Sequence, residues 1–302
     1  MSVPLDNGSY DEQWIPVCPR HPEVAAYTRC QRCGRPACTQ CQVPASVGFQ
    51  CVDCVAAERK ANPMPTQRSE LGMPAAPGRP LVTFGIIGIC VAVWVGELMS
   101  WSFFGNVAFI ALAAQDEPWR YITSGFAHDR SNVIHLLFNM MALYFMGQYL
   151  EPMLGRLRFA ALYLVAVLGG SVGYQLLTSA PVRGGDLYAS GWATPLVGAS
   201  GGVFGLFVAV IVLNRHLGRE IGPMLTLIAI NVVLGFTMSN VAWQAHLGGA
   251  IVGGIAAGLL YAVRRRSTAI QLGLLGGLAA LLFAAAYVSF AMADLSWIQI
   301  VR

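Results

Sequence analysis

Two sets of side chains in this sequence have the types and spacing to do chemistry. The first is sparse and sits in apolar surroundings: Ser200 in "GASGG", His246 in "AHLGGAIVGG", and His135 with Asn139 in "HLLFNMMALYFMGQYLE". A serine hydroxyl is a poor nucleophile until a base takes its proton, and an imidazole is the usual base. His135 and Asn139 are four apart, on one face of a helix, where both can offer N–H donors to a developing negative charge. Phe204, one turn after Ser200 on the same face, can lay its ring on an imidazole.

The second set is dense. Seven cysteines and one histidine form four pairs at one spacing: Cys18-x2-His21, Cys30-x2-Cys33, Cys38-x2-Cys41 and Cys51-x2-Cys54. Eight ligands are what two tetrahedral Zn²⁺ ions require. Only four residues separate Cys33 from Cys38, so a cross-braced arrangement is expected, with pairs one and three on one ion and pairs two and four on the other. The competing reading is a disulfide framework; against it, seven is odd and the expected compartment is reducing. Protein fills every coordination position, so the two zinc ions are expected to be structural, with no cofactor for catalysis. They would replace a hydrophobic core that about 40 residues are too few to build.

The elements that must position these groups follow from hydropathy. Of 302 residues, 56% are hydrophobic and 11% charged, against about 25% charged in soluble domains. Runs long enough to cross a hydrocarbon core of about 30 Å lie near 81–99, 134–154, 157–178, 198–214, 221–239, 241–263 and 269–292. The expected fold is an all-α polytopic membrane protein with a small zinc-binding domain in front. The expected order is an N-terminal tail over 1–17, a zinc finger over 18–54, a flexible Pro- and Ala-rich linker over 55–79, a six-helix core over 80–265, and a seventh helix with a tail over 266–302.

The polar start "MSVPLDNGSYDEQW" does not read as a signal peptide, so a cytoplasmic N-terminus is expected. Arginine placement agrees: Arg79, Arg156, Arg158, Arg215, Arg219 and Arg264 to Arg266 then lie inside, against Arg120, Arg130, Arg183 and Arg302 outside. These basic loops account for the net charge of +4 without a nucleic-acid partner. The C-terminus is then outside. The second, fourth and sixth spans run from outside to inside, so Ser200, His246, His135 and Asn139 share the outer leaflet. Counting back from Arg215 at about 1.5 Å per residue puts Ser200 roughly 22 Å above the inner boundary, submerged below the outer surface. His128 and His216 are expected in loops at the membrane boundary, and Cys90 as a packing residue.

Together "GASGG", "AHLGGAIVG" and "HLLFNMMALYFMGQYLE", with "EPWRYITSGFAHD" upstream, resemble the rhomboid intramembrane serine proteases over about residues 80–265. The resemblance implies Ser200 as nucleophile and His246 as general base, with His135, Asn139 and the Ser200 N–H as oxyanion donors. It implies supporting roles for Gly198, Phe204, Gly249, Gly253, Trp119, Arg120 and Glu151, the last three structural. Phe204 stands where the best-known bacterial members have Tyr. Six spans followed by a seventh resemble the family's six-plus-one arrangement. The head resembles a B-box-type zinc finger over 18–54, although its third and fourth pairs are all Cys.

The function implied is hydrolysis of peptide bonds in or beside transmembrane segments of other proteins in the bilayer, with the site opening to the outer face of a bacterial plasma membrane. A cytoplasmic protein partner is expected for the head. The competing class is a catalytically silent rhomboid-like scaffold that binds client helices; such relatives typically lack the serine or the histidine, and both are here.

Overall fold

A computed structural model describes residues 15–62, 68–75, 78–237, 241–293, 295, 296 and 298, with side chains except over 231–237. The expected tail over 1–17 lies outside these residues up to 14, as does Arg302. The chain divides into two compact units, Met1–Thr66 and Gln67–Arg302.

In the first unit β1 (Val17–Cys18) pairs antiparallel with β2 (His21–Ala25), and β3 (Gln42–Pro44) with β4 (Phe49–Cys51). Helix α1 (Val52–Ala61) follows and has no buried residue. The interior consists of Cys18, Ala26, Cys30, Ala37, Cys38, Cys41 and Cys51. A core of cysteine and alanine buries too little apolar surface to hold a domain of this size.

The second unit is helical. Helix α2 (Leu81–Met99) is followed by the short α3 (Trp101–Val107), α4 (Ala111–Ala114) and α5 (Arg120–Thr123). Then come α6 (Val133–Leu154), α7 (Arg156–Leu177), α8 (Ser200–His216), α9 (Gly222–Thr237), α10 (Trp243–Ala262) and α11 (Thr268–Met292). Five of these, α2, α6, α7, α10 and α11, are long and apolar enough to cross a membrane among the described residues. The protein is an integral membrane protein. Helix α8 has 17 residues and begins at Ser200, two residues inside the run expected from hydropathy.

Helices α7, α8 and α10 form the centre, and they approach closely because glycine lines their contacts. A Cβ at Gly249 would stand 2.0 Å from the carbonyl oxygen of Gly201, and one at Gly253 would stand 2.3 Å from the Cα of Gly205. Without lipid-driven hydrophobic attraction, such close approach supplies the packing energy. Glu151, near the end of α6 and 1% exposed, accepts from the amides of Val82 and Thr83 at 3.0 and 2.9 Å and from Thr83 Oγ1 at 2.8 Å. It therefore caps the N-terminus of α2, whose first amides have no intrahelical acceptor.

The expectation of a flexible linker over 55–79 needs correction. Residues up to Ala61 are helical, and Leu71 and Met73 are buried in the core of the second unit. Apolar side chains within a Pro-rich stretch still gain from burial, and composition alone does not reveal that. His216 is also not in a loop: it is the last residue of α8, with its ring 4.1 Å from that of Tyr261. Cys90 packs in the apolar core.

Candidate active site

The site assembles where α6, α8 and α10 begin. The chain reaches α8 through Gly198, whose φ of 132° is open to glycine and strained for other residues. Its amide donates to the carbonyl of Ser124 at 3.1 Å, which holds the turn. Ser200 is then the first helical residue, with the unpaired amides of the first turn around it. The irregular stretch before α8 meets its backbone needs within the protein: Leu196 and Phe109 exchange amide–carbonyl bonds of 2.8 and 3.0 Å, and Trp192 Nε1 donates to the carbonyl of Gln175 at 2.9 Å.

His246 lies in the first turn of α10, and its Nε2 is 2.9 Å from Ser200 Oγ. That is hydrogen-bonding distance for a hydroxyl and an imidazole, and a neutral ring with its proton on Nδ1 can accept the hydroxyl's hydrogen there. Phe204 stacks on the imidazole with ring centroids 4.2 Å apart and planes 9° from parallel. Among the described residues no carboxylate pairs with His246, and the stacked ring of Phe204 is a contact that can hold the imidazole plane.

Helix α6 supplies the other wall. Asn132 caps it, its side chain accepting from the His135 amide at 3.2 Å. A Cβ on Gly198 would be 3.1 Å from both Cε1 and Nε2 of His135 and 3.4 Å from Ser200 Oγ, so glycine there lets imidazole and hydroxyl approach the same turn. Asn139 is buried one turn on, and its Nδ2 donates to the carbonyl of His135 at 2.9 Å; an amide has a second N–H to give. Beside Ser200 a small cavity is lined by Ser124, Gly125, Ser171, Leu196, Gly198 and Gly201, among others.

Trp119 and Arg120 lie away from these groups, in the segment that leads into α5. Arg120 is buried and donates to Glu117 and to the carbonyls of Gly105 and Ala108; Trp119 Nε1 donates to the carbonyl of Asn106 at 3.3 Å. Both tie the segment around α3 to α5. One polar residue, Glu97, is missing from the sequence reading, and a second, His128, lies deeper than that reading expects. Glu97 in α2 is fully buried, and His128, expected at the membrane boundary, is fully buried as well. An acid within an apolar run was the available signal for Glu97.

In the first unit the cysteine pairs interleave. Cys18, His21, Cys38 and Cys41 group together, as do Cys30, Cys33, Cys51 and Cys54, with all ligand atoms of each group within 4.8 Å of one another. The His21 Nδ1 is 4.0, 3.3 and 3.4 Å from the sulfurs of Cys18, Cys38 and Cys41, and the sulfurs of Cys33 and Cys51 are 3.8 Å apart. Tetrahedral Zn²⁺ with Zn–S bonds near 2.3 Å has edges of about 3.8 Å, so both donor sets fit that ion. None of the eight cysteines forms a disulfide. The Arg35 guanidinium, 3.4 Å from Cys33 Sγ, lowers that thiol's pKa, which favours the thiolate a metal needs.

Residues 115–263 match the Rhomboid domain family model. Rhomboid protease GluP of Bacillus subtilis is 34% identical over 155 residues, which cover 50% of this chain and 27% of that protein. Rhomboid protease AarA of Providencia stuartii is 27% identical over 161 residues, 48% of this chain and 56% of that protein. A plant relative, Inactive RHOMBOID-like protein 8 of Arabidopsis thaliana, is 29% identical over 151 residues, 49% of this chain and 39% of that protein. In each case the chain spans well under two thirds of the relative's length.

Proposed function

From a chain that carries a rhomboid domain, we propose a serine protease that cuts membrane proteins in or beside their transmembrane segments. The observation that carries this reading is the 2.9 Å contact between His246 Nε2 and Ser200 Oγ at the start of a helix. Ser200 Oγ attacks the scissile carbonyl carbon while its proton passes to His246 Nε2. The resulting oxyanion accepts from the Ser200 N–H, His135 Nε2–H and Asn139 Nδ2–H. His246 then protonates the leaving amine, and water attacking the acyl-enzyme by the reverse route frees Ser200.

A fully hydrogen-bonded helix does not present its carbonyl to a nucleophile, so the client helix must unwind locally. Gly or Pro in the client lowers that cost, and a single-pass protein that unwinds near the outer surface, with a small residue before the cut, is the substrate class that follows. The N-terminus is cytoplasmic in this reading, and the site opens to the opposite face.

The first unit holds two structural zinc ions, one on Cys18, His21, Cys38 and Cys41 and one on Cys30, Cys33, Cys51 and Cys54. Elemental analysis of purified protein should find about two zinc ions per chain; fewer than one contradicts both sites. The unit binds a cytoplasmic regulator or the client's inner tail, an idea that fails if deleting residues 1–60 leaves cleavage of every client unchanged.

The test of the protease reading is cleavage of a transmembrane peptide carrying a glycine-rich outer end by the purified chain in detergent. Wild type should cut, and Ser200→Ala and His246→Ala should each lose at least about 10³-fold in kcat. If all three bind the peptide and none cuts it, the scaffold reading takes over; one plant relative carries the word inactive in its name.

A further inference from the structure

Glu97 is a carboxyl group with no exposure in the last turn of an apolar helix, and His128, also without exposure, lies in the loop before α6. Burial of such groups is costly without a partner, so their bonds indicate what they are for. Glu97 Oε2 accepts from the His128 amide at 3.1 Å, and Oε1 has no hydrogen-bond partner among the described residues. The carboxyl group is thus devoted to that loop. Two neighbouring bonds hold the same loop to α2: Trp94 Nε1 donates to the carbonyl of Asp129 at 3.1 Å, and Arg130 donates to the carbonyl of Leu98 at 3.0 Å.

What the loop then does bears on Ser200. The rings of His128 and His135 are 5.4 Å apart. His128 Nδ1 lies 3.2 Å from the carbonyl of Phe126, a bond that requires the ring proton on Nδ1 and fixes the ring against rotation. The next amide, that of Asp129, points at His135 Nδ1 over a long 3.5 Å. With Nδ1 accepting, the neutral His135 ring carries its hydrogen on Nε2, an atom 3.1 Å from where a Cβ on Gly198 would stand, a point itself 3.4 Å from Ser200 Oγ.

We propose that Glu97 and His128 are positioning residues for the oxyanion donor: Glu97 pins the loop whose Asp129 amide sets the tautomer of His135, and the His128 ring holds the His135 ring toward Ser200. This rests on the protease reading. The mutual geometry predicts an asymmetry that a purely structural anchor lacks, because donor quality at Nε2 matters only once charge develops on the substrate oxygen.

The experiment follows the glycine-rich transmembrane peptide with the full chain in detergent, for wild type, Glu97→Gln, Glu97→Met and His128→Phe. Glu97→Gln keeps an acceptor for the His128 amide and should retain kcat within about twofold. Glu97→Met, of similar shape with no acceptor, and His128→Phe should lower kcat about ten- to hundredfold with KM little changed, a part of the 10²–10³ that a lost oxyanion donor costs. In ¹⁵N-histidine spectra of the folded wild type, His135 should carry its proton on Nε2, and Glu97→Met should mix the tautomers. A wild type that cuts while Glu97→Met and His128→Phe keep kcat overturns the inference alone, as does a wild-type His135 protonated on Nδ1. A wild type that cannot cut overturns the protease reading instead. Should Glu97→Met fail to fold, the His128→Phe kinetics and the wild-type spectrum decide.

Discussion

His246 has no acid behind it among the described residues, and the Phe204 ring stacks on it 4.2 Å away, so in the proposed mechanism that stack is what orients the base. Phe204→Tyr keeps the ring and should keep kcat within about threefold; Phe204→Ala removes a stack worth about 0.5–1.5 kcal/mol and should lower kcat about tenfold with little change in KM. Progress curves on the same peptide distinguish the two. At this scale the sequence was informative about residue type and poor about burial. Ser200, His246 and His135 were visible because each is polar within an apolar run, and the structure brings all three to one place. Glu97 met the same criterion, yet a single acid near the end of "LVTFGIIGICVAVWVGELM" looks like the end of a span. His128 lies among polar neighbours, and its burial comes from a loop docking on α2, which no local pattern encodes.

Elements position these residues through the contacts of their backbones. Gly249 faces the carbonyl oxygen of Gly201, the residue after the serine, so any side chain at 249 must push α10 away from α8 and separate His246 from Ser200. Gly249→Val should therefore cost more than the about 1–3 kcal/mol of ordinary overpacking and abolish cleavage. Gly258→Ala on the same helix meets nothing within 4 Å and should leave Tm and activity unchanged or slightly raise stability. Thermal unfolding of the pair in one detergent checks both. In the sequence Gly249 stands out through the family resemblance, which implies a supporting role for it. The cap that Glu151 places on α2 could not be read there, since it is 68 positions from Thr83 along the chain and only the fold joins them.

Across the whole molecule, hydropathy located the helices well and their ends less well. Helix α8 starts at the serine because Gly198 must turn the chain just before it, a backbone requirement that a hydropathy window averages away. The cross-braced cysteine pairs were legible from spacing alone, because a short gap between pairs limits which of them can share an ion. The expected linker was the weakest reading, for Leu71 and Met73 take part in a core whose other members come from distant helices. The central claim is that Ser200 is a nucleophile activated by His246. It is tested most directly by treating the full chain with a fluorophosphonate and locating the adduct by mass spectrometry. The account predicts one adduct, on Ser200, formed by wild type and lost in His246→Ala; a wild type that cuts peptide while its adduct forms elsewhere, or forms equally fast without His246, would contradict it.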